Sequence, residues 1–280
     1  MKYEYECSSF LRFTLKIAVV LGMFKKTINE KSSIKQKPFN YKGLTKSKIC
    51  NLDIYSCYDN KDEVIIYLHG GGYLLGLDNM HIGFARKLQN KSKATVHIID
   101  YPLAPVHKVD EVISEVYKTI REIVSTNINS NHHLIGDSAG GGMVLSLLKR
   151  LTKEEVSIKN TYLLSPWLDV SMTNEDVVKY QDVDYILKLE DLINCGNLYT
   201  NNNPKHLDAS PIYDDYSNYN NITIFASEHD LLYPDMIKFY NMNPQTSIHI
   251  YKRAPHDFML FPYTKEQKEV IKIISESIDK

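Results

Sequence analysis

Gly136-Asp137-Ser138-Ala139-Gly140 sets a single serine between two glycines, where the apolar end of one stretch, His132-His133-Leu134-Ile135, gives way to another, Gly141 to Leu151. The first reads as a buried strand and the second as an apolar helix. A G-x-S-x-G at a strand-to-helix junction is a nucleophile elbow. The turn is tight enough to strain the serine backbone, and small flanking residues relieve the crowding while the hydroxyl stands free. The pentapeptide alone is common; its setting makes it informative.

A second glycine loop lies upstream. His69-Gly70-Gly71-Gly72-Tyr73 follows Glu63-Val64-Ile65-Ile66-Tyr67-Leu68, a β-branched apolar run that reads as a buried strand. Without Cβ atoms, backbone N–H groups here can approach an anion closely. In acyl transfer that anion is the oxygen of the tetrahedral intermediate, and Gly71, Gly72 and Ala139 are the expected donors. No Gly-Lys-Ser/Thr follows and no G-x-G-x-x-G opens a helix, which argues against a nucleotide loop.

A serine hydroxyl needs a base and an acid to orient that base. Asn221 to Ser227 reads as a strand with Asp230 just past its carboxyl end, and Ser247 to Arg253 as another with His256 just past its end. Active sites of open parallel sheets gather at that edge. Ser138, Asp230 and His256 are therefore the candidate catalytic residues. Asp235 and His229 are rivals: Tyr233-Pro234 opens a helix that would carry Asp235 away, and His229 precedes the acid. Glu228-His229-Asp230 has no further ligand at metal spacing, so neither a metal nor another cofactor is expected.

These motifs resemble the hormone-sensitive-lipase family of α/β-hydrolases, in its bacterial carboxylesterase branch. The resemblance also rests on Asp100-Tyr101 with Leu103-Ala104-Pro105, Ser165-Pro166-Trp167-Leu168-Asp169 and Ser210-Pro211, all in family order between residues 60 and 260. It implies an α/β-hydrolase fold, a mostly parallel sheet flanked by helices with a small helical cap. It also implies the triad and oxyanion donors named above, and hydrolysis of short- to medium-chain acyl esters. Pro102 and Val106 stand where the family has Arg and Glu, which removes an ion pair from that loop. Tyr73, Trp167, Tyr185 and Phe258 are candidate substrate-pocket residues, and each reads equally well as core. An amidase or deacetylase would use the same triad. An inactive hydrolase-fold binding protein, or an interaction module, is the alternative outside catalysis.

The 280 residues fit one such domain: residues 1–45 as an N-terminal cap and connection, and 46–280 as the catalytic domain with a cap insertion near 170–212. A net charge of −1 without blocks of like charge gives no reason to expect nucleic acid as a partner. Four scattered cysteines form no disulfide framework, which suits a cytoplasmic setting. Phe10, Phe13, Ile17, Leu21 and Phe24 recur at helical spacing. The stretch is too short to span a bilayer and no cleavage site follows it. It reads as a cap helix over the site mouth, or as a peripheral membrane contact through residues 10–24.

Overall fold

Alternation of side chains builds the sheet. In the computed structural model, which describes residues 1–20, 40–59 and 62–279 (the side chains of 15–20 excepted), Glu63–Leu68 is wholly buried. Val64, Ile66 and Leu68 enter one hydrophobic cluster, while Ile65 and Tyr67 enter another on the opposite face. A strand buried on both faces reads as continuously apolar, because helices cover both sides. Each aliphatic side chain so buried contributes about 1.5–3 kcal/mol.

The strands are β1 (Lys2–Glu6), β2 (Thr45–Ile49), β3 (Leu52–Cys57), β4 (Glu63–Leu68), β5 (Thr95–Asp100), β6 (Asn131–Asp137), β7 (Asn160–Leu164), β8 (Ile222–His229) and β9 (Ser247–Pro255). They form one nine-stranded sheet among the described residues, in the order β1-β9-β8-β7-β6-β4-β5-β3-β2. The β2–β3 and β3–β5 pairs are antiparallel, and the remaining pairs are parallel.

The helices among the described residues are α1 (Ser9–Val20), α2 (Asn79–Ser92), α3 (Val109–Thr126), α4 (Ser138–Lys153), α5 (Leu189–Thr200), α6 (Tyr233–Met242) and α7 (Lys265–Ile278). α3 buries Val109, Val112, Ile113, Val116, Ile120 and Ile123, a stripe at helical spacing, and carries Asp110 and Glu111 in its first turn. α3, α4, α5 and α6 feed the first cluster; α2 and α7 feed the second.

One feature of the amino terminus differs from the sequence expectation, and a second bears on the two readings of its apolar stripe. Lys2–Glu6, expected within a cap and connection, is an edge strand parallel to β9, with Lys2 opposite Ile248 and Glu6 opposite Lys252. Its alternating Lys, Tyr and Glu mark a solvated edge. Among the described side chains of α1 the buried one is Leu11, whereas Phe10 and Phe13 are 59% and 63% exposed. Leu11 enters the second cluster, as does Cys7 just before the helix, and burying the Leu11 line of α1 turns the two phenylalanines outward. The side chain of Ile17, and Leu21 and Phe24 altogether, lie outside the described residues.

Candidate active site

β6 delivers Ser138 to the carboxyl edge of the sheet in a left-handed conformation, φ +50°, as the first residue of α4. For a residue with a side chain that geometry costs about 1–3 kcal/mol and persists only where its surroundings impose it. Here they do. A Cβ on Gly136 would lie 2.4 Å from the Gly140 carbonyl oxygen, and one on Gly140 would lie 2.1 Å from that of Leu68. The Ser138 carbonyl accepts the Trp167 N–H at 2.8 Å, fixing the turn from outside.

Asp137 anchors the turn from beneath. Its fully buried carboxylate accepts the Tyr67 hydroxyl on Oδ1 and the Gly70 N–H on Oδ2 at 2.8 Å. His81 Nε2 lies 3.4 Å from the same Oδ2, and His81 Nδ1 lies 2.7 Å from Asp78. Burial disfavours a charge on His81, but Asp137 and Asp78 outweigh it and hold its pKa at about 10.

β8 and β9 bring the partners. His256 Nε2 lies 3.0 Å from Ser138 Oγ, and Nδ1 lies 2.8 Å from Asp230 Oδ2. The other Asp230 oxygen accepts the Leu232 N–H at 2.8 Å, so the acid is held as well as holding. All three side chains are buried. With its Nδ1–H given to Asp230, a neutral His256 turns the Nε2 lone pair toward the serine hydroxyl, the tautomer a general base requires. Burial opposes charge on His256, yet Asp230 and Asp257 raise its pKa well above the usual imidazole value.

Two carboxylates of this cluster escaped the sequence reading. Asp184 accepts the N–H groups of Ile186, Leu187 and Leu231, the last being the neighbour of Asp230. Burial, with help from Asp230, pushes its pKa up to about 6. Asp257 lies beside His256 Nε2 at 3.1 Å. Nothing in the Asp184 neighbourhood of the sequence signals its role; the His256-Asp257 adjacency was the available clue to the other.

The glycine loop meets the expectation of an open backbone. Gly71 and Gly72 have φ of +106° and +62°. The Gly71 carbonyl accepts the Leu74 and Leu75 N–H groups, and a Cβ on Gly71 would lie 2.4 Å from the Leu75 carbonyl oxygen. Among the described residues the Gly71 and Gly72 N–H groups donate to no protein acceptor. Ala139 lies in the first turn of α4, where N–H groups lack intrahelical partners. His69 stacks on Tyr101 at 4.2 Å, and the Tyr101 hydroxyl donates to the His69 carbonyl at 2.6 Å. Burial lowers the His69 pKa to about 4, so the ring stays neutral.

A family model described as alpha/beta hydrolase fold matches residues 65–260. The chain belongs to that family. An esterase of Acinetobacter venetianus is 26% identical over 223 residues, covering 76% of this chain and 74% of that protein. An acetyl-hydrolase of Streptomyces hygroscopicus is 24% identical over 176 residues, covering 62% and 59%. The solved structure of a hormone-sensitive lipase from a metagenome library superposes with a TM-score of 0.84, covering 98% of this chain and 99% of that one at 20% identity.

The remaining candidates of this α/β-hydrolase separate clearly. Tyr73 and Trp167 are buried in the first cluster; Tyr73 stacks on Tyr199 at 3.8 Å and tilts against Trp167. Phe258 is buried in the second cluster, 4.3 Å from the Tyr251 ring. Tyr185 is 44% exposed and shares with Phe13, Arg12, His229, Arg253 and Pro255 a cleft of about 470 Å³. That cleft abuts the residues just before Asp230 and His256. Asp235 is buried on α6 and accepts the Asn174 amide, away from His256. Glu228, His229 and Asp230 diverge: Glu228 accepts the Arg253 N–H, His229 lines the cleft and Asp230 binds His256.

Despite Pro102 and Val106, the loop after β5 is held by the Ala104 N–H on the Tyr73 carbonyl at 2.9 Å. Val106 is exposed. Asp110, His206 and Asp208 cluster within 4.8 Å, but Asp208 already receives the Arg150 guanidinium. The cysteines are free, and burial pushes the Cys7 and Cys195 thiols up to about 12, which leaves them unreactive. No helix among the described residues is long and apolar enough to cross a membrane.

Proposed function

We propose that this hydrolase is a serine carboxylesterase acting on short- to medium-chain acyl esters. Ser138 Oγ attacks the ester carbonyl as His256 Nε2 takes its proton, and Asp230 steadies the imidazolium. The Gly71, Gly72 and Ala139 N–H groups stabilise the oxyanion. His256 then gives the proton to the leaving alkoxide, and water activated by the same ring releases the acid. The observation that carries this reading is the continuous line from Asp230 through His256 to Ser138, with contacts of 2.8 and 3.0 Å. Similarity to proteins named esterase and acetyl-hydrolase supports the bond type and a small acyl group. Phe13 and Tyr185 facing one cleft beside His229 and Pro255 support α1 and the 170–212 segment as the walls of a substrate mouth.

A panel of esters of graded acyl length with matched amides tests the proposal. Turnover should favour short and medium acyl esters, and Ser138→Ala should lower kcat by roughly a millionfold. Amides outpacing their matched esters would instead establish an amidase. Undiminished turnover in Ser138→Ala would refute the nucleophile.

A further inference from the structure

Asp257 occupies a position that the reaction as written does not use. It follows His256 with a left-handed backbone, φ +51°. Its Oδ2 lies 3.1 Å from His256 Nε2, the same nitrogen that stands 3.0 Å from Ser138 Oγ. Its other oxygen, Oδ1, is buried and accepts no hydrogen bond among the described residues. The Asp257 N–H donates to Ser165 Oγ at 3.3 Å, and Ser165 is hydrogen-bonded to Ser227 on β8, so the residue is tied to the sheet.

We propose that Asp257 is a second acid on His256, an ion-pair partner beside Nε2 while Asp230 holds the Nδ1–H, so that the resting ring is protonated between two carboxylates and must shed the Nε2 proton before Ser138 can be activated. This rests on the serine-esterase reading. A bare Nε2 presents a lone pair to an ionised carboxylate, which repels it. A protonated Nε2, its N–H directed at Ser138 Oγ, turns that contact into an attractive ion pair.

The surrounding groups favour the protonated ring. Asp230 faces it from the end of β8 and Asp257 from the turn after β9. Asp184 stands behind Asp230 from the β7–β8 segment, and Asp137 faces Asp257 from the end of β6. His81 and Asp78 of the α2 start are occupied with Asp137 and with each other. Burial raises the Asp257 pKa to about 6, and a charged His256 opposes that rise, so a protonated ring favours the ionised carboxylate beside it.

In turnover, the free ring first loses the Nε2 proton to water. The Ser138 hydroxyl proton then moves to Nε2 as the Oγ–acyl bond forms, and leaves on the alkoxide as the ester C–O bond breaks. Asp257 stabilises the imidazolium between those two transfers.

The test follows modification of Ser138 by a fluorophosphonate from about pH 5 to about pH 10, in the wild type and in Asp257→Asn. Asparagine tolerates the left-handed backbone. The wild-type rate should rise with a midpoint above 6.5, the usual histidine value. The variant's midpoint should fall by about one unit or more, making it roughly tenfold faster than wild type on the acid side. Equal midpoints would overturn the proposal. If the variant fails to fold, a wild-type midpoint at or below 6.5 overturns it alone. Absence of modification at every pH would instead sink the serine-esterase reading.

Discussion

The Gly70 backbone N–H donates to the Asp137 carboxylate at 2.8 Å, joining the glycine loop after β4 to the elbow after β6. One buried side chain thus sets the distance between the proposed oxyanion donors and the proposed nucleophile. A Cβ on Gly70 would lie 2.3 Å from that same carboxylate oxygen, so the loop can come this close only as glycine.

Asp137→Ala should therefore harm both stability and chemistry. It leaves the Tyr67 hydroxyl and the Gly70 N–H without their acceptor and the His81 cation with Asp78 alone, a loss on the order of 3–5 kcal/mol. Urea unfolding should show a lowered midpoint, and the fluorophosphonate rate of the folded fraction should drop. A variant as stable as wild type would show that the network is dispensable.

Two glycine substitutions should separate packing from propensity. Gly140→Ala places its methyl against the Leu68 carbonyl and should cost about 1–3 kcal/mol, with loss of activity. Gly83 lies inside α2 with open space for 4 Å around the place a Cβ would take, so Gly83→Ala should raise stability by about 0.5–1 kcal/mol. Thermal melts of the pair provide the comparison.

The His81 site gives an alkaline dependence of stability. Its pKa rises from 6.5 to about 10 on folding, so the folded state binds the proton more tightly. That contribution is complete below pH 6.5 and fades as the pH rises toward 10. Unfolding midpoints measured across this window should fall in the wild type and fall less in His81→Asn. Parallel curves would contradict the assignment.

Phe10 and Phe13 point outward from α1, and with a bilayer-surface substrate they would be the first side chains to meet it. Phe10→Ser with Phe13→Ser should spare turnover of a water-soluble ester and reduce turnover of an emulsified one. Equal loss of both would rule out a role confined to membranes.

Much of this architecture can be read from the chain because its signals are local. The runs Glu63–Leu68 and Ser247–Arg253 combine β-branched content with limited length, and Ser138, Asp230 and His256 each follow such a run. Lys2–Glu6 could not be read that way: an edge strand with alternating charge owes its pairing to β9, some 245 residues distant. For Phe10 and Phe13 the helical spacing leaves two readings open for a related reason. Periodicity identifies an apolar stripe, but which line is buried depends on the surface that receives it, and that surface accepts Leu11. Asp184 reaches Asp230 through the Leu231 N–H, a link that exists only after the β7–β8 segment folds back. Its role is tertiary from the start.

The fluorophosphonate reaction itself gives the most direct measurement, read by mass spectrometry of the peptide that carries the adduct. Rapid modification confined to the Ser138 peptide, abolished in Ser138→Ala and slowed at least about a hundredfold in His256→Ala, is the expected result. Modification elsewhere in the chain, or an unchanged rate without the His256 ring, would mean that the hydroxyl at the elbow owes nothing to the imidazole beside it.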